Sequence, residues 1–118
     1  MMCPNIQVLN TTTNGAIYWF KNCEMAQVIF KNLCFDFYLE EYDAFLKYLS
    51  SLDGDSIEKK YENSIHRRKI PIRMGKSCLT ILLNKEELLE LQFLFSGQDR
   101  LFILNNPTVQ IEYQIGLN

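Results

Sequence analysis

The residues best equipped for chemistry lie in one stretch of this 118-residue chain, His66-Arg67-Arg68-Lys69-Ile70-Pro71-Ile72-Arg73-Met74-Gly75-Lys76. From Asn63 to Lys85 there are six basic residues and no acidic one, whereas the remainder carries six basic against fourteen acidic. A positive region on a negative body follows, and the chemistry it suits is anion binding. Arginine engages phosphate or carboxylate through a planar two-pronged guanidinium. On a strand, Arg67, Lys69, Pro71 and Arg73 fall on one face, with Arg68, Ile70, Ile72 and Met74 on the other. Arg67, Lys69 and Arg73 are therefore the candidate anion-binding set, for an acidic protein segment or a small anion. Nucleic acid ranks behind these, because the chain has a net charge of −2 and no recognised nucleic-acid motif. Two structural roles compete with binding. Charge and proline on an edge strand block sheet-to-sheet association, and the cations can pair internally with acidic helix starts.

Catalysis and metal binding have thinner support. His66 is the single histidine, so any Cys-His or Ser-His machinery must use it. The five glycines are scattered at turn positions, and no phosphate-cradling loop exists. Cys3, Cys23, Cys34 and Cys78 lack the close C-x-x-C pairing of a zinc site and the regular spacing of a disulfide framework. The expectation is reduced thiols, with Cys34 and Cys78 as small core residues, no metal, no cofactor and no enzymatic activity. A redox or enzymatic role for Cys23 is the weakest functional alternative.

The elements that must position these residues read as α+β. "GAIYWF", "AQVIF" and "LCFDFYL", preceded by Ile6 to Leu9, form an antiparallel meander because their connections are too short for crossovers. Ala26, Val28 and Phe30 share one face of their strand, and Leu33, Phe35, Phe37 and Leu39 share one face of the next. "NTTTNG" reads as a turn. A helix over about residues 40–53 carries the stripe Tyr42, Phe45, Leu46, Leu49 and Leu52, with Gly54 at its C-terminal cap. Asp55 and Glu58 suggest the capping box of a short helix, "SIEKKYEN". "HRRKIPIRM" and "SCLTILL" form a hairpin around Gly75, with Pro71 on an edge. A second main helix starts at Asn84, with Glu87 as its capping partner, and stops at Gly97. "LFIL" and "TVQIEYQI" close the chain as a final hairpin. One domain over 1–118 is expected, with an antiparallel sheet of about five to eight strands and two main helices on one side.

With these elements in place, "NGAIYWFKNCEMAQVIFKNLCFDF" followed by "RRKIPI" resembles an uncharacterised family of small proteins from Bacteroidetes, a domain of unknown function. The likeness covers about residues 1–96. It implies a C-x-x-C-x-x-x-H run in relatives across the positions of Phe20, Cys23 and Gln27, of which this chain keeps Cys23 alone. The family carries no activity to import.

No apolar run approaches the ~20 residues that cross a bilayer, so no membrane partner is expected. The first residues lack signal-peptide character, so a cytoplasmic setting is expected. The leading expectation is a non-catalytic interaction or regulatory module, with nucleic-acid or other anion binding through strand 67–76 as the alternative. On the second main helix, Leu88, Leu91, Leu94 and Phe95 form one stripe, while Leu89 and Phe93 lie on another side. Leu89 and Phe93 are candidate interface residues, covered by the final hairpin in a monomer or by a second chain in a homodimer.

Overall fold

The computed structural model describes residues 5–96. Its first four strands run β1 (Ile6–Thr12), β2 (Gly15–Phe20), β3 (Met25–Phe30) and β4 (Leu33–Tyr38), in the order β1-β2-β3-β4, all antiparallel. Two-residue loops, Thr13-Asn14 and Lys31-Asn32, close β1–β2 and β3–β4. Lys31 takes a positive φ of 55°, unusual for a non-glycine, and its N–H is held by the Asn14 carbonyl at 2.7 Å. Thr11 and Thr12 of "NTTTNG" extend β1, as β-branched residues favour, and the expected turn narrows to Thr13-Asn14. The β1–β2 register slips between Val8 and Asn10, leaving Leu9 as a bulge.

The inner face of this sheet carries Ile17, Trp19, Ala26, Val28 and Phe30, all buried, with Leu33, Phe35 and Phe37 packed at its β4 side. Helices α1 (Leu39–Ser50) and α3 (Lys85–Ser96) cover it, as the helical stripes predict. Tyr42, Phe45 and Leu49 of α1 are buried, and so are Leu88, Leu91, Leu94 and Phe95 of α3. Phe95 stacks on Tyr42 at 5.2 Å and meets Phe45 edge-on at 5.4 Å, which joins the two helices.

Between them lie α2 (Gly54–Lys60) and the β5 (Ile70–Arg73) and β6 (Thr80–Leu83) hairpin, which forms a separate two-stranded sheet. The six described strands thus divide between two sheets, with three helices packed against them. Ile70, Ile72 and Met74 point to the core, as their alternation predicts. Gly75 turns the hairpin with φ of 61°. Gly54 is not the cap of α1. It opens α2, where Asp53 is the N-cap and accepts from the Asp55 N–H at 3.1 Å. A Cβ on Gly54 would lie 3.3 Å from Leu88, so glycine there permits the approach of α2 to α3. The capping box expected from Asp55 and Glu58 is therefore replaced by a simple N-cap two residues earlier, where Asp53 also accepts from the Ser56 hydroxyl at 2.9 Å.

At α3 the expected reciprocal cap is present. The Asn84 side chain accepts from the Glu87 N–H at 2.8 Å, and Glu87 accepts from the Asn84 N–H at 2.9 Å. No helix among the described residues is long and apolar enough to cross a membrane. The expected final hairpin and the stop at Gly97 lie outside the described residues.

Candidate functional site

The basic stretch does not form one continuous strand face. β5 begins at Ile70, so Arg67 and Lys69 precede it and only Pro71 and Arg73 share its outward side. Lys69 folds back, and its Nζ donates to the carbonyls of Glu62 and Ser64, each at 3.0 Å. These carbonyls follow α2, whose unpaired C-terminal end attracts a cation. Arg67 and Arg73 are exposed, and their side chains make no hydrogen bond or ion pair among the described residues. Tyr48 accepts the backbone N–H of Arg73 through its hydroxyl at 3.1 Å.

Arg68, placed by alternation on the apolar side, has the strongest pairing. Its Nε and a terminal nitrogen engage both oxygens of Glu87 at 2.8 and 2.9 Å. Lys31 approaches the same carboxylate at 3.4 Å from the β3–β4 loop. Glu87 is only 6% exposed. The Arg68 hydrogen bonds, aided by Asn84 and Lys31 against the cost of burial, hold its carboxyl at about 2. Internal pairing with an acidic helix start therefore accounts for Arg68. Sequence patterning identified Glu87 only as a cap, although it also joins α3 to the β3–β4 loop and the β5 approach.

Other polar groups of α3 hold the rest of the fold. Glu90 accepts from the Thr12 hydroxyl, the Asn14 N–H and the Asn14 amide at 2.7, 2.8 and 2.9 Å. Those bonds lower its pKa. Gln92 donates to the Leu49 and Leu52 carbonyls at the end of α1. Asn10 of β1 donates to the carbonyls of Phe93 and Leu94. Leu89 and Phe93, at 54% and 61% exposure, occupy the outer side of this helix.

The cysteines depart from expectation. Cys34 and Cys78 are free but exposed, not core residues. Cys34 falls on the outward side of β4, and Cys78 lies before β6 begins. Burial and then the neighbouring Asp36 carboxylate raise the Cys34 thiol. Cys23, in the short 3-10 turn Lys21–Cys23, is disulfide-bonded, so the expectation of a reduced thiol is corrected there. Phe20 ends β2, and Gln27 on β3 donates to Asp36 at 3.3 Å. Among the described residues no three His, Cys, Asp or Glu side chains gather into a group able to hold a metal. His66 is exposed, and its backbone N–H donates to the Ser64 hydroxyl.

A concave site appears elsewhere, along β4. A cleft of about 760 Å³ separates this strand, which is an edge strand among the described residues, from the β5–β6 loop. Phe35 and Phe37 line it, with Phe45 and Met74. Phe37 stacks on Phe45 at 5.2 Å and lies 6.2 Å from Phe35, giving a continuous aromatic surface. Asp36 borders the cleft from β4 with its side chain on the strand's outward side, Glu41 supplies a carboxylate at the α1 end, and Lys76 stands on the opposite wall. The sequence signal was available in Leu33, Phe35 and Phe37: large apolar residues on the last strand of a meander, which among the described residues has one neighbouring strand. A smaller cleft of about 270 Å³, with Tyr61, Pro71 and Leu82 beside His66, Arg68 and Lys69, lies over the outer side of the hairpin.

No curated protein and no solved structure matches the chain. One family model, described as a family of unknown function (DUF6686), matches residues 2–118 and so extends beyond the span over which the sequence resemblance was drawn. With nearly its whole length matched, the chain belongs to this family of unknown function.

Proposed function

We propose that this protein is a non-catalytic interaction module that binds a segment of another protein in the cleft beside β4. The observation that carries the proposal is the union of an edge strand with an aromatic-lined cleft of about 760 Å³. Ligand sites are typically concave and largely apolar, with a few polar groups that set orientation. The groups that could support nucleophilic catalysis are dispersed: His66 lies before β5, Cys34 on β4 and Cys78 in the β5–β6 loop. A cytoplasmic setting remains part of the proposal, and the disulfide at Cys23 is the observation that stands against it.

Panning a random peptide display library on the full chain tests this reading. The expected result is a set of binders that shift amide resonances of residues 33–38 and 74–77. An absence of binders, or shifts confined to other surfaces, overturns it. A second reading, anion binding, is favoured by the side chains of Arg67 and Arg73, which are unpaired among the described residues. It requires a salt-sensitive affinity for an anion that Arg67→Ala with Arg73→Ala abolishes.

A further inference from the structure

We propose that the occupant of the β4 cleft is an extended segment that pairs backbone-to-backbone with the β4 edge and alternates apolar with basic side chains; this rests on the peptide-binding reading above. The backbone direction of β4 supports the pairing. In an antiparallel ladder, alternate residues turn their N–H and C=O toward the neighbouring strand or away from it. Phe30 and Leu33 close the two-residue loop, so Leu33, Phe35 and Phe37 bond toward β3. Tyr38 confirms the phase, because its N–H is directed away from β3 and donates to Glu41 Oε1 at 2.9 Å. Cys34 and Asp36 share that phase, so their backbone groups face the open edge. Among the described residues, no bond occupies them on that side. Strand addition to such an edge is an established mode of peptide capture.

The side chains specify the alternation. An added strand continues the pleat, so successive residues face the two sides of the sheet in turn. On the inner side they meet Phe35 and Phe37, with Phe45 and Met74 below, and apolar groups are favoured there. On the outer side the neighbouring charge is Asp36, which favours a cation. Glu41 adds a second carboxylate at the α1 end, whereas Lys76 lies across the cleft. The six residues of β4 span about 20 Å, which sets the paired length at roughly six residues.

The same aspartate argues against a second copy as the occupant. Two β4 edges related by a twofold axis, in registers that match face to face, place their Asp36 carboxylates directly opposite or one diagonal apart. Like charges in those positions are destabilising. Asp36 thus disfavours self-pairing while attracting a basic strand.

The test uses the full chain and a capped, fluorescent octapeptide of alternating valine and lysine, read by anisotropy. A valine–glutamate counterpart should bind at least about tenfold more weakly, and Asp36→Lys should reverse the preference. Methylating amides in one register of the peptide should weaken binding by about three- to tenfold per lost bond, while the other register is indifferent. An antiparallel strand donates to β4 from its lysine amides and a parallel one from its valine amides, so the sensitive register reports direction. Equal effects of both methylations, or a charge preference unmoved by Asp36→Lys, overturn strand pairing. If display-selected binders map to the cleft but the valine–lysine probe does not bind, this inference falls and the peptide-binding reading stands. If nothing binds the cleft, both fall.

Discussion

Replacing Glu87 by Gln keeps the side-chain volume and removes the charge that Arg68 and Lys31 share. The carboxyl titrates at about 2 in the folded protein against an ordinary 4.5. That difference corresponds to roughly 3 kcal/mol of stability at neutral pH. Because the Arg68 side chain is 55% exposed, water screens part of the interaction, and about 2 kcal/mol is the working figure. The sign follows from the depressed folded value. Stability is fully present above about pH 5, where the carboxylate is ionised in both states. It falls as pH drops from 4.5 toward 2, because the unfolded chain takes up the proton first. Urea unfolding of wild type and Glu87→Gln should therefore differ by about 2 kcal/mol at pH 7, with the gap narrowing through pH 4 and nearly closing near pH 2. A gap constant from pH 7 to pH 3, or one below about 0.5 kcal/mol at pH 7, would refute the assignment of Glu87 as a stabilising buried anion.

Further expectations concern packing, exposure and metal. Gly15→Ala places a Cβ 2.8 Å from Leu94 and 2.9 Å from the Ile29 carbonyl, so thermal melting should show a loss of about 1–3 kcal/mol. Gly75→Ala meets no atom within 4 Å but must hold a φ of 61°, so it should cost about 1–2 kcal/mol through backbone strain alone. Phe93→Glu should cost less than about 1 kcal/mol if the ring is exposed to solvent, whereas a loss of about 3 kcal/mol or a change in sedimentation would show that it is covered in solution. Elemental analysis of purified protein should find no stoichiometric zinc, since Phe20 and Gln27 supply no thiolate or imidazole beside Cys23.

Elements with a strong hydrophobic period are legible in the sequence. Ala26, Val28 and Phe30 alternate, and Leu88, Leu91, Leu94 and Phe95 recur at helical spacing, so each set revealed its buried side. Cys34 was misplaced even though its alternation with Leu33 and Phe35 puts it outward; its apolar neighbours in sequence obscured their opposite orientation. The basic run had no such guide. Arg67 and Lys69 fit the parity of a strand, but the carbonyls after α2 draw the Lys69 ammonium away from a shared face. The convergence of Lys31, Arg68 and Asn84 on Glu87 joins residues from separate parts of the chain, and no local pattern encodes that meeting. The β4 cleft was hidden for a related reason: its aromatic wall is periodic, but its opposite wall comes from the β5–β6 loop.

Because α3 fastens the β1–β2 loop through Glu90 and the β1 strand through Asn10, the closing bonds of the fold span 76 to 84 residues. The four-strand meander relies on neighbouring segments and can assemble while the chain is still being made. Its Ile17, Val28 and Phe30 side stays without α3 until synthesis reaches Ser96. At about 5–20 residues per second, the delay from Asn14 to Glu90 alone is roughly 4–15 seconds. During that interval the nascent sheet presents an apolar face in a crowded setting, where a holding chaperone can compete with aggregation. Substitutions at Glu90 or Asn10 should therefore reduce the yield of folded protein in the cell more than their effect on equilibrium stability would suggest.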